Sequence, residues 1–186
     1  MPLPAPTVDR KHLHTRTIVT RSFERSDGLW DIEGSVVDTK TYDYAGYEGG
    51  QVSAGTPVHG MSLRMTIDRD LNIHDMEAVT DSAPYRVCGA ITPNFKKLVG
   101  LNLGKGFRKA ARELVGGTQG CVHLVDLLGP MATTAFQTFG SLDHKRLSDA
   151  SMRGEKIDAF FVNGCHTLAA DSPVIHKEFP TLYTAK

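Results

Sequence analysis

The stretch Val58-His59-Gly60-Met61-Ser62-Leu63-Arg64-Met65-Thr66-Ile67-Asp68 alternates along its whole length. His59, Met61, Leu63, Met65 and Ile67 share one parity, and Ser62, Arg64, Thr66 and Asp68 share the other. Successive side chains of an extended chain point to opposite faces, so the pattern predicts a strand with one apolar and one wet face. His59 begins the apolar row.

Outward from this strand, Asp68-Arg69-Asp70 reads as a turn and Leu71 to Val79 as the returning strand, ended at Ser82-Ala83-Pro84 because proline cannot donate to a ladder. Upstream, Thr17 to Phe23 and Leu29 to Asp38 form a second hairpin about Ser26-Asp27-Gly28. Within it Trp30, Ile32 and Val36 have one parity and Asp31, Glu33 and Ser35 the other. Tyr42 to Gly55, rich in Gly and Tyr, is a loop. Three prolines in the first ten residues predict an extended arm over residues 1–11, followed by a single domain from His12 to the last residue, 186.

Downstream the period changes. Phe95, Leu98 and Val99 behind Pro93-Asn94 predict a short helix, and Phe107, Ala110, Ala111, Leu114 and Val115 an amphipathic one stopped by Gly116-Gly117. From Cys121 to Phe139 the helical spacing runs across Gly129-Pro130, which fits one kinked helix or two stacked short ones. Ser141 to Glu155 reads as a polar linker. Lys156 to Val162 and Cys165 to Ile175 read as a last strand pair about Asn163-Gly164. Strands first, helices in the middle and strands last predict an α+β fold, a mostly antiparallel sheet with two to three helices packed on one face.

The chain has 186 residues and a mass of 20.3 kDa, which suits one core. Lys plus Arg and Asp plus Glu both number 21, with no basic block, so a nucleic-acid partner is not expected. No apolar run reaches the ~20 residues of a membrane span, and the start MPLPAPTVDR has no apolar signal segment, so the expected setting is cytoplasmic. Cys88, Cys121 and Cys165 are odd in number and widely spaced, as expected of reduced thiols rather than a disulfide framework.

Six ordered blocks, HLHTR from His12, GLWDIEG from Gly28, DTKTYD from Asp38, PVHGM from Pro57, GCVHL from Gly120 and TAFQT from Thr134, resemble a bacterial family known as domain of unknown function 2889. The resemblance covers nearly the whole chain from His12. The family pattern more often has Asp at the position of Gly60 and Thr at that of Val122, so no role here is assigned to an acid at 60 or a hydroxyl at 122. The resemblance implies a soluble bacterial protein associated with the breakdown of aromatic acids and acyl thioesters, and it supplies no catalytic residue.

Among residues able to do chemistry, His59 is the first candidate, since a titratable group at the edge of an apolar row meets a pocket rather than bulk water. In the segment GGTQGCVHLVDLL, Gly116 to Leu128, Cys121 and His123 would stand about 200° apart if both were helical, which prevents a shared metal or a nucleophile-base pair. Cys121 would then pack with Leu124 and Leu128, and His123 would lie on the stripe of Leu127, Thr134 and Gln137, its neutral form favoured by the helix dipole. If the segment is extended, a Cys-x-His metal corner becomes available. Asp31 and Glu33 share a face as a carboxylate pair, or are simply solvated. His14 and Arg16 form a polar strip suited to a carboxylate, and Tyr42 and Tyr44 suit an aromatic substrate. Gly100 to Gly106 departs from the Walker pattern and reads as a turn.

These residues lead to one main expectation: a small acid-base enzyme of lyase or isomerase type, without a cofactor. His59 and His123 would exchange protons, Tyr42 would orient, and His14, Arg16, Tyr44 and Gln137 would bind substrate. An aromatic or phenylpropanoid small molecule as substrate is what the resemblance implies. Two alternatives stand beside it: a metal or iron-sulfur handling protein using Cys88, Cys121, Cys165 and His123, and a module that binds acyl-CoA or a partner. A homo-oligomer is compatible with each.

Overall fold

A computed structural model describes residues 2–104 and 106–185. Its contacts divide the chain into two compact units, Met1–Ala132 and Thr133–Lys186. Among the described residues no helix is long and apolar enough to cross a membrane.

The first unit is built on an antiparallel sheet in the order β1 (His14–Glu24), β2 (Trp30–Lys40), β5 (Pro57–Ile67) and β6 (Ile73–Ser82). The alternation read at Val58 to Asp68 decides which face is covered: Met61, Leu63, Met65 and Ile67 are all buried, together with Trp30, Ile32 and Val36 of β2. The loop between β2 and β5 carries a small ladder of β3 (Tyr44–Ala45) and β4 (Gln51–Val52). The turn after β5 closes at Leu71, whose φ is 68° and whose N–H donates to the Asp68 carbonyl at 3.1 Å.

Two helices complete the unit: α1 (Phe107–Val115) falls where its spacing predicts, and α2 begins at Val122. The short helix expected near Phe95 is a 3-10 stretch from Arg86 to Leu98 that contains Pro93 and buries Phe95 and Leu98. The first turns of α2 lie against the covered sheet face. A methyl group on Gly34 would sit 2.7 Å from Met131 Sδ and 2.8 Å from its Cγ, so this close approach of helix to strand requires glycine.

Helix α2 runs from Val122 to Met152, continuous through Pro130. The polar linker expected from Ser141 to Glu155 is therefore mostly helix. No Gly or Pro interrupts residues 141–152, Asp143–Arg146 and Lys145–Asp149 pair at helical spacing, and Leu147 and Ala150 are buried.

The second unit also corrects the reading of its end. No strand forms over residues 156–175; the segment holds a 3-10 turn at His166–Leu168 and the start of α3 (Pro173–Glu178). Ser172 caps α3, its hydroxyl accepting from the Ile175 N–H at 3.2 Å, and Pro173 suits the first helical turn while it could not donate to a ladder. Asn163 adopts a φ of 62°, donates its N–H to the Leu168 carbonyl at 2.8 Å and accepts from the Ala170 N–H at 2.9 Å. These bonds close a local loop where a hairpin was expected. Leu147, Ile175 and Phe179 form the core of the unit, with Ile157, Phe161 and Leu168 packed around them.

Candidate functional site

The covered face of the sheet ends in a polar row. Strand register places Arg16 opposite Asp38 and Asp38 opposite His59, so three adjacent strands contribute one polar side chain each at the same level. Asp38 has the parity of Trp30, Ile32 and Val36, and its side chain is 0% exposed. A carboxylate at that depth is tolerated only when its lone pairs are used.

Asp38 uses four. Its Oδ1 accepts from Arg16 Nε at 2.8 Å and His14 Nε2 at 3.1 Å, and its Oδ2 accepts from Arg16 Nη2 at 2.8 Å and His59 Nδ1 at 3.0 Å. The bidentate Arg16 clamp, then the bond from His14, holds Asp38 well below the usual carboxylate range. Arg16 in turn is raised, chiefly by Asp38, and its Nη1 donates to Asp126 of α2 at 2.9 Å.

An ionised carboxylate cannot donate, so the proton of neutral His59 resides on Nδ1 and the lone pair on Nε2. The His59 ring stacks on His123, with centroids 3.7 Å apart and planes 28° apart. Burial lowers the pKa of His59, outweighing the attraction of Asp38, with Arg16 and His14 adding to the depression. His123 is lowered as well, first by burial and next by the facing His59. Both rings are therefore neutral near pH 7, and the charge on one disfavours a charge on the other. Two such imidazoles in contact form an acid-base couple that holds one proton more readily than two.

Cys121 corrects the helical geometry expected of its segment. Its carbonyl accepts from the Val125 N–H at 2.9 Å while its own backbone lies before the first turn of α2, so the 100° rule for helical neighbours does not apply. Its Sγ lies 3.7 Å from His123 Nδ1 and 3.7 Å from Met61 Sδ. Gly120 permits this entry, because a side chain there would collide with the Val115 carbonyl oxygen.

Asp38, His59 and His123 each offer one ligand atom, all within 4.8 Å of one another, which is the geometry of a three-ligand metal corner. The lone pairs of Asp38 are already engaged, and the Arg16 guanidinium beside it would repel a cation. The arrangement suits proton transfer better.

The structure thus brings His14, Arg16, His59 and His123 together. Tyr42 and Tyr44 gather around the Lys40 ammonium, which lies 4.1 Å from the Tyr44 ring centroid and 5.6 Å from that of Tyr42; Lys40 stands opposite His14 in the β1–β2 register. Gln137 belongs to the second unit, where it lines a cavity. Asp31 and Glu33 form no carboxylate pair: Asp31 accepts from Arg25 and Thr66, and Glu33 from Arg64. Cys88 and Cys165 are free thiols, Cys165 exposed in the second unit. Lys105 of the Gly100–Gly106 turn lies outside the described residues. Asp38 and Asp126 are functional candidates that sequence reasoning passes over, although the parity of Asp38 with a buried apolar row is the signal that could reveal the first.

No curated protein and no solved structure matches the chain. Residues 14–137, which include the four-stranded sheet, α1 and every residue of the Asp38 cluster, match a family model, and the chain belongs to the family described as Protein of unknown function (DUF2889).

Proposed function

We propose that the Asp38 cluster is the acid-base centre of a small cofactor-independent enzyme. The observation that carries this reading is the His59–His123 stack, with one ring fixed by a buried carboxylate that accepts a hydrogen bond from its Nδ1–H. His59 Nε2 is the base and, once protonated, the acid that returns the proton; Asp38 fixes the ring and the tautomer and stabilises the imidazolium as it forms, and neutral His123 donates a hydrogen bond to a developing oxyanion. Arg16 keeps Asp38 ionised throughout. Lyase or isomerase chemistry, in which a proton leaves one carbon or oxygen and another is delivered nearby, matches a couple of this kind. The choice of an aromatic or phenylpropanoid substrate rests on the family resemblance.

Proton NMR of the purified protein with a panel of aryl and phenylpropanoid acids, aldehydes and alcohols in deuterated buffer tests the reading. Wild type is expected to convert or deuterate at least one compound, and His59→Gln and His123→Gln to lower that rate by about 100 to 10,000-fold with circular dichroism unchanged. Because burial lowers the pKa of His59, the acid limb of kcat/KM against pH should have its midpoint below the ordinary histidine value of about 6.5. Full activity in both variants, or an acid limb above that value, would overturn the assignment. Stoichiometric zinc or iron lost in both variants would replace proton transfer with metal chemistry.

A further inference from the structure

The second unit holds a cavity of about 770 Å³, within the range of small-molecule sites. One stripe of α2 forms a wall of it: Phe136, Gln137, Gly140, Ser141 and His144 recur at i, i+1, i+4, i+5 and i+8. The lining as a whole is rich in aromatic rings. Phe136 and Phe160 lie 5.3 Å apart, Phe160 and Phe161 5.9 Å, and Phe161 and Phe179 5.0 Å, all tilted or edge to face. Four phenyl rings in sequence present both ring faces and ring edges, which an entering aromatic ring can join in the same geometry.

The polar groups of the cavity choose the head of that ligand. Glu178 is the only Asp or Glu among the described lining residues, and no Lys or Arg is among them. His144 Nε2 lies 3.0 Å from Glu178 Oε2, and since the carboxylate accepts, this nitrogen donates. Gln137 and Ser141 add neutral hydrogen-bonding groups on the same helix stripe. With an acceptor carboxylate and no Lys or Arg, the cavity disfavours anionic ligands and favours a donor.

We propose that this cavity binds an aromatic molecule carrying a neutral or cationic donor head, an amine or a hydroxyl, with its ring among the phenylalanines and its donor toward Glu178. The cavity draws all of its described lining residues from the second unit. It also gives Gln137 a ligand to contact.

Two fluorescent probes of one scaffold test it on the full chain. N-phenyl-1-naphthylamine has two aromatic groups and an N–H donor, and 8-anilino-1-naphthalenesulfonate adds a sulfonate. The neutral amine should bind with a blue-shifted rise in emission, and the sulfonate about tenfold more weakly or worse, because an anion would face Glu178. Phe160→Ala, at a half-exposed ring that the fold can lose, should weaken the amine by about fivefold or more. Glu178→Gln keeps the size but removes the charge, so it should strengthen the sulfonate and narrow the gap between the probes. Absence of amine binding, equal or tighter binding of the sulfonate by wild type, or affinities unmoved in both variants would overturn the proposal.

Discussion

Two rows of ionic side chains cross the same sheet in opposite surroundings. On the covered face Arg16, Asp38 and His59 lie in register on β1, β2 and β5; on the open face Glu33, Arg64 and Glu77 lie in register on β2, β5 and β6. Both rows place an arginine within 2.9 Å of a carboxylate. The difference is water. The Asp38 side chain is 0% exposed, whereas the Glu33, Arg64 and Glu77 side chains are 36%, 48% and 54% exposed. In water such a pair gains little over its solvated parts, but a buried carboxylate depends on every bond it makes. The same chemistry is thus a surface feature on one face and, on the other, a fixed frame that sets the tautomer of an imidazole.

The sharpest way to break this contrast is Asp38→Asn. The amide nitrogen would turn a donor toward groups that already donate, and Arg16 would lose its bidentate partner in a partly buried place. A loss of about 2–4 kcal/mol is expected, below the full cost of a stranded buried charge because Arg16 keeps Asp126 and a third of its surface in water. Urea denaturation at pH 7 measures it. The pH dependence has a definite sign: the lowered pKa of Asp38 stabilises the fold above the unfolded carboxylate value, about 3.9, and that contribution fades as pH falls below it. The variant should therefore show a smaller loss of stability on acidification than wild type. An unchanged acid profile would mean that Asp38 is not the buried anion described.

A smaller effect is expected further along the covered face. Gly34→Ala places a methyl group against Met131, which is itself buried, and the contact at 2.7 Å must be relieved by moving a packed side chain. The cost should be about 1–3 kcal/mol, the range of overpacking in well-filled cores. Thermal unfolding would detect it, and a neutral result would show that the first turns of α2 do not press on β2 as closely as the structure places them.

Much of this contrast is legible in the sequence, and the exceptions have physical reasons. The alternation at Met61, Leu63, Met65 and Ile67 is enough to identify the covered face, and His59 at its edge points to the end of that face where the Asp38 cluster lies. Asp38 escapes because reading a strand by hydrophobicity passes over the acid that ends the row, and only the partner strands reveal that Arg16 and His59 meet it. The Cys121–His123 contact escapes because a helical angle is assumed one residue too early, where Gly120 allows the chain to enter the helix from a different direction. Beyond Gly140 composition misleads more seriously. Charged residues from Asp143 to Asp149 suggest a linker, yet their i, i+3 and i, i+4 pairing is what a solvated helix face looks like. Around Ser172-Pro173 the apolar residues read as a strand, whereas the Ser172 cap and Pro173 in the first turn start a helix there.

The smallest effect is also the most diagnostic for the open face. Arg64→Ala removes the centre of a surface row whose arginine is bonded to both neighbours at 2.9 Å, and Glu33 and Glu77 then face each other across an uncharged position. With all three side chains at least one-third exposed, the expected cost is under about 1 kcal/mol. Comparing urea midpoints in low salt and in about 0.5 M salt should shrink even that difference, because added ions screen exposed charges over several ångströms. The loss in Asp38→Asn should change less under the same comparison, since the Asp38 carboxylate itself is held out of water. A cost for Arg64→Ala as large as that of Asp38→Asn, and equally insensitive to salt, would mean that the outer face is covered in solution. The two rows would then share one environment, and their contrast in burial would no longer explain why only one of them frames a histidine.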